Sequence, residues 1–155
     1  MSGKTTKVEA TDTDFGKKLL QELKALASKQ VTVGFKAGEV FDADGMDVAK
    51  KAAINEYGTD TIPARPFMRQ TIENHVDELT KYCQSMAKSV KNRGSADEVL
   101  QGIGEHLVKM VRDEIENGEF EPNAPSTIRR KGSDKPLIDT GQMKDAVRYF
   151  IIEGE

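Results

Sequence analysis

The stretch PFMRQTIENHVDELTKYCQSMAKSV (Pro66–Val90) decides the fold. Its apolar positions, Met68, Ile72, Val76, Leu79, Cys83, Met86 and Val90, recur at spacings of 4, 4, 3, 4, 3 and 4. That is the period of one helix face, sustained for roughly seven turns. Pro66 suits the first turn, where its missing N–H is no loss. The run KNRG ends the helix at Gly94. Ser95 and Glu98 then form an S-x-x-E capping box. They open a second helix with Leu100, Ile103, Leu107, Met110 or Val111, and Ile115 on its apolar side, closed by Gly118. Two long helices joined by so tight a break predict an antiparallel hairpin.

Upstream, DTDFGKKLLQELKALASKQ reads as a helix capped by Asp12 or Asp14, with Phe15, Leu19, Leu23 and Leu26 at helical spacing. VTVGF (Val31–Phe35) alternates as a half-buried strand, and RYFIIE (Arg148–Glu153) supplies a second. VAKKAAINEYG reads as a short helix, capped by Asp47 and stopped at Gly58. Ala49, Ala52, Ala53 and Tyr57 form its close-packing face. Residues 1–11 are polar and aperiodic, which predicts a mobile tail. Residues 36–47 and 119–138 read as long loops; the second holds Pro122, Pro125 and Pro136 and the basic residues Arg129, Arg130, Lys131 and Lys135. The expectation is one α+β domain over residues 12–155. A small antiparallel sheet packs against the helical hairpin, with short helices around it.

The 155 residues carry 26 acids against 23 Lys and Arg, a net charge of −3. A dedicated nucleic-acid binder would be basic overall, so any contact of that kind would be a local patch. The basic run at Arg129–Lys135 has no interleaved aromatics. It reads first as a solvated loop or one pairing with an acidic neighbouring subunit, and only second as a DNA contact. The single cysteine, Cys83, cannot staple the fold; it continues an apolar stripe and reads as a buried structural thiol in a reducing compartment. The first ten residues lack a signal-like apolar run, and no stretch approaches the roughly 18 apolar residues of a membrane span. The sequence predicts a soluble chain made in a cytoplasm.

Leu137-Ile138-Asp139-Thr140-Gly141 matches what a retroviral-type aspartic protease carries around its catalytic carboxylate. Such a protease needs two carboxylates sharing one proton, with most of a β-rich domain after the motif. Here 14 residues follow Gly141 and helices dominate what precedes it. Helix capping is the better account: Asp139 or Thr140 accepts N–H bonds from the turn that follows, and Gly141 permits a special backbone geometry. FDADGMD offers Asp42, Asp44 and Asp47. An EF-hand needs an oxygen ligand at its fifth position, Gly at its sixth and Glu at its twelfth. Counting from Asp42, these are Met46, Asp47 and Ala53. His75 and His106 lack ligand-spaced partners on their own helices and read as surface or flanking residues. No nucleophile elbow or phosphate loop is present. No catalytic residue, cofactor or metal is expected.

Two blocks carry a resemblance. Ala52–Arg69, AAINEYGTDTIPARPFMR, resembles the A-x-x-N/H-E/Q-F/Y-G … I-P-A-R-P-F block of tail-completion or neck (head–tail joining) proteins of long-tailed bacteriophages. Ala124–Tyr149, APSTIRRKGSDKPLIDTGQMKDAVRY, resembles their P-x-S-x-x-T-[LI]-x-x-K … P-L-x-D-T-G-x-[LM] block. The resemblance implies a virion structural protein with no enzymatic activity. Such proteins form a ring, often of six subunits, at the head-proximal end of the tail tube. Their partners are copies of themselves, the tail tube protein, the head connector and DNA passing through the channel. Some relatives are minor tail components, and a tail-assembly chaperone or adaptor absent from the finished particle is the alternative. The motif residues are Asn55, Glu56, Tyr57, Gly58, Ile62, Pro63, Arg65, Pro66 and Phe67 in the first block. In the second they are Arg129, Arg130, Lys131, Leu137, Asp139, Thr140 and Gly141. Short strands with free edges suit assembly by sheet joining, the loops suit ordering on docking, and Arg65 suits a carboxylate on this or a neighbouring chain.

Overall fold

The computed structural model describes residues 13–154, so the tail expected at 1–11 lies outside the described residues. The elements run α1 (Asp14–Ala27), β1 (Lys29–Gly34), α2 (Val48–Tyr57), α3 (Phe67–Ser89), a short 3-10 turn (Val90–Asn92), α4 (Ala96–Asn117), α5 (Pro125–Lys131), α6 (Gln142–Asp145) and β2 (Arg148–Glu153). The fold is α+β, as expected. No helix among these residues is long and apolar enough to cross a membrane.

The hairpin forms as its capping signals predict. Ser95 Oγ accepts the Glu98 N–H at 3.2 Å, while the Glu98 carboxylate accepts the Ser95 N–H at 3.0 Å. Gln70 meets Glu114 at 2.7 Å and the Tyr82 hydroxyl meets the Gly102 carbonyl at 3.3 Å, so α3 and α4 run antiparallel. The face that α3 buries differs from the stripe expected. Phe67 and Thr71 are buried, whereas Ile72 is 40% and Val76 52% exposed; of the expected stripe Val90, in the turn after the helix, is buried. Cys83 is half-buried. Each step of four residues overshoots a full turn by about 40°, so two such steps carry the stripe off the contact face. The helix also breaks at His75, where φ is −126° and ψ 15°.

β1 pairs antiparallel with β2, Val31 opposite Ile151 and Val33 opposite Tyr149. A two-stranded ribbon is marginal by itself and needs a packing partner. That partner is α4. Gly104 sits in mid-helix where an added Cβ would lie 2.3 Å from the Tyr149 ring, so the missing side chain admits β2. A mid-helix glycine costs about 1 kcal/mol of propensity against alanine, offset here by that packing. Among the described residues neither outer edge of the sheet carries a further strand. The main core gathers Val48 and Ala52 from α2, Phe67 from α3, Val111 and Ile115 from α4, and Leu137, Met143 and Val147 from the C-terminal segment.

Several local expectations are corrected. Thr13 rather than Asp14 caps α1: its hydroxyl accepts the Gly16 N–H at 2.9 Å and Asp14 is already helical, while Asp12, the other expected cap, lies outside the described residues. Phe15 and Leu23 are largely exposed, because α1 lies outside the core. α2 buries Val48, Ala52 and Glu56 rather than an alanine face ending in Tyr57, which is 74% exposed. Residues 119–138 are not a structureless loop. α5 lies inside, with Pro125 at its first position, and seven residues are too few to display a period. Residues 36–47 close on themselves through a bridge between Phe41 and Asp47.

Candidate functional site

The first block works as a clamp between α2 and α3. Pro66 offers α3 no capping side chain. The Glu56 carboxylate, arriving from the end of α2, takes that role. It accepts the Met68 N–H at 2.9 Å and the Arg69 N–H at 3.3 Å, and pairs with Arg69 Nε at 3.1 Å. A carboxylate there also meets the positive end of the α3 dipole. Arg69 in turn lies over the Tyr57 ring, 5.8 Å from its centroid. The turn between the helices is held by Thr59 N–H to the Ile62 carbonyl, 2.8 Å, and Arg65 N–H to the Asn55 carbonyl, 2.6 Å. Gly58 is needed for two reasons. Its φ is +72°, and a Cβ would lie 2.8 Å from the Ala64 nitrogen and the Ile62 carbonyl oxygen.

Arg65 departs from expectation. It is 5% exposed, and its guanidinium holds backbone carbonyls rather than a carboxylate: Glu121 at 2.7 Å and Pro122 at 3.2 Å. These bonds tie the first block to the segment leading into α5. Burial lowers the pKa of the guanidinium, with the nearby Glu121 charge acting the other way.

The two blocks converge on one cleft of about 630 Å³. From the first come Asn55, Ile62, Pro63 and Arg65; from the second come Arg130, Lys131, Leu137, Asp139, Thr140 and Gly141. Glu56, Tyr57, Gly58, Pro66 and Phe67 lie outside this lining, as does the exposed Arg129. Arg129, Arg130 and Lys131 of the basic run form the last turn of α5 rather than a loop, where cations complement the helix dipole, and Lys135 lies in the loop beyond it. The capping expected of Asp139 is not seen. Asp139 bonds none of the α6 amides, Thr140 Oγ1 takes the Gln142 N–H only at 3.5 Å, and Gly141 enters the single-turn helix at φ +83°.

Residues that the sequence concealed complete the cleft. Asp42 and Asp44, from the segment expected as a long loop over 36–47, line it together with Lys51. Asp42 forms an ion pair with Lys51, and Asp44 accepts the Met46 N–H at 2.9 Å. No spacing rule links Asp42 to Lys51, because their approach depends on the 36–47 turn. The Lys51 ammonium, then the Ala43 N–H, hold the Asp42 carboxyl below its ordinary 3.8. A carboxyl depressed on folding contributes stability above its unfolded value, and that contribution disappears as pH falls through the folded one. Asp42→Asn should therefore be less stable than the parent at pH 7, with the gap closing as the pH is lowered below the ordinary carboxyl value of 3.8. Thermal unfolding of both proteins across that range checks it.

The histidines are more engaged than surface residues would be. His75 Nδ1 lies 3.4 Å from Glu78, and its Nε2 lies 3.9 Å from the buried Glu114; His106 lies 3.7 Å from Glu78 and stacks on Tyr82. Among the described residues no group of three or more His, Cys, Asp or Glu could hold a metal ion. Compared with known proteins, the chain matches no family model, no curated protein and no solved structure.

Proposed function

We propose that this chain is a non-enzymatic structural protein of a long-tailed bacteriophage. It assembles as a ring, of six subunits as the resemblance implies, on the head-proximal end of the tail tube. There it stops tube growth and presents a surface to the head connector, with DNA passing through the channel.

The observation that carries the assembly reading is apolar surface exposed among the described residues. Ile72 and Val76 on α3 and Phe15, Leu20 and Leu23 on α1 are large apolar residues that a finished monomer would seldom leave open along two helices. The sheet supports the same reading, since each outer edge offers unpaired backbone groups to a neighbouring subunit. The neck and tail assignment rests on the two sequence blocks, and their convergence on one cleft accords with a shared role. The cleft carboxylates argue for a non-catalytic role. Asp42 is held by Lys51, Asp44 by a backbone amide, and Asp139 faces the Lys131 charge, an arrangement unlike two carboxylates sharing a proton.

Sedimentation velocity tests assembly, alone and with purified tail tubes. The parent chain is expected as one uniform oligomer, or as a monomer that assembles on the tubes. Val76→Asp places a charge in the uncovered stripe and should leave a folded monomer that no longer assembles, checked by circular dichroism. A parent chain that stays monomeric even with tubes overturns the reading. Mass spectrometry of purified virions tests the location, and absence from particles would favour an assembly chaperone.

A further inference from the structure

The cleft brings together three cations, Arg65, Arg130 and Lys131, that form no ion pair among the described residues, although the Glu121 charge acts on Arg65 and the Asp139 charge on Lys131. Arg65 is 5% exposed, yet its two hydrogen bonds go to carbonyls, and no carboxylate among the described residues pairs with it. Arg130 makes no hydrogen bond or ion pair among the described residues. The Lys131 ammonium donates to the Lys135 carbonyl at 3.0 Å. Burial first lowers the Lys131 pKa; Asp139 opposes this, while Arg65, Lys51 and Arg130 lower it further. Arg65 is buried and Lys131 half-buried, where a cation without an ion pair is costly and an arriving anion relieves that cost, while the exposed Arg130 is free to turn toward it.

The groove between α4 and β2, about 740 Å³, is a useful contrast. Two of its cations are paired with carboxylates, Lys144 with Glu116 at 3.0 Å and Arg148 with Glu39 at 2.7 Å; Arg112, like Arg65, is held by carbonyls, and Lys109 has no ion pair among the described residues. The other cleft has one such pair, Lys51 with Asp42, and none for Arg65, Arg130 or Lys131.

We propose that this cleft docks an acidic polypeptide segment of a partner chain, seating a Glu or Asp carboxylate against Arg65, Arg130 and Lys131. The rest of the lining selects the class of partner. Asp42, Asp44 and Asp139 share the cleft, and a phosphodiester strand would bring repeated negative charge within a Debye length, about 8 to 10 Å, of all three. A polypeptide brings one carboxylate for the cations and backbone N–H donors for the acids. Planar guanidinium groups also match a carboxylate in two-pronged fashion. A volume of about 630 Å³ accepts a short segment. Acid capture goes beyond ring formation: the first is read by titration and the second by sedimentation, so either can fail alone.

The test titrates the full chain with a blocked eight-residue peptide carrying two Glu among Gly and Ala. Its Gln counterpart and a single-stranded oligodeoxynucleotide serve as the other probes. Binding is followed calorimetrically and through the NMR signal of the Arg65 Nε–H. The Glu peptide should bind and move that signal, and the Gln peptide should do neither. The double variant Arg130→Glu, Lys131→Glu, shown to be folded by circular dichroism, should bind at least about tenfold more weakly. Absence of Glu-peptide binding to the parent chain, equal binding of the Gln peptide, or an unmoved Arg65 signal overturns the proposal. Undiminished binding by the folded double variant does the same. Tighter binding of the oligonucleotide than of the Glu peptide at equal salt overturns it in favour of nucleic acid.

Discussion

Phe67→Ala is expected to cost the fold about 4 kcal/mol, the typical penalty for emptying a fully buried aromatic site. Phe67 has no solvent exposure and packs edge-to-face on Phe35, with ring centroids 6.1 Å apart. It is also the first residue of α3, so its ring anchors the start of the hairpin to α2 and α4. The space left cannot easily close, because it is bounded by residues from three helices and the C-terminal segment. Urea unfolding of parent and variant measures the difference. Phe67→Leu retains much of the apolar volume and should recover more than half of the loss. A penalty under about 1 kcal/mol for the alanine variant would mean that this site is not the centre of the core.

Glu56→Ala ranks next, at about 2 to 3 kcal/mol. The substitution removes three hydrogen bonds to a buried carboxylate and leaves the first turn of α3 without its cap. No neighbouring side chain can replace it, since Pro66 has no polar group to offer. Glu56→Gln keeps an acceptor but surrenders the charge at the positive end of the helix, and should cost about 1 kcal/mol. The ordering Ala worse than Gln worse than parent, read from unfolding midpoints at pH 7, distinguishes a cap from simple packing. If Gln proved as damaging as Ala, the negative charge itself would be the essential feature.

These two residues show how the sequence block is put to use. In the sequence, Glu56 is a polar position near the end of a short helix, and nothing in its spacing names Met68 and Arg69 as partners. The same holds for Arg65, whose chemistry suits a carboxylate while its position delivers it to two carbonyls. Hydrogen-bond partners across a turn depend on where the turn places them, and Pro63 and Pro66 do that placing only in three dimensions.

The local chemistry was legible without coordinates. The hairpin, the Ser95–Glu98 box, the Asp47 cap, the Gly58 stop and both strands follow from period, capping residues and turn chemistry, which act over a few residues along the chain. Tertiary structure alone decided which side of α3 is covered, that α5 exists within a proline-rich stretch, and that Asp42, Lys51, Arg65 and Lys131 share one cleft. Those outcomes depend on contacts between residues far apart in the chain. Neither periodicity nor spacing encodes such distances, because the angle at which α2, α3 and α5 meet is set by packing around Phe67 and by the Glu56 and Arg65 ties.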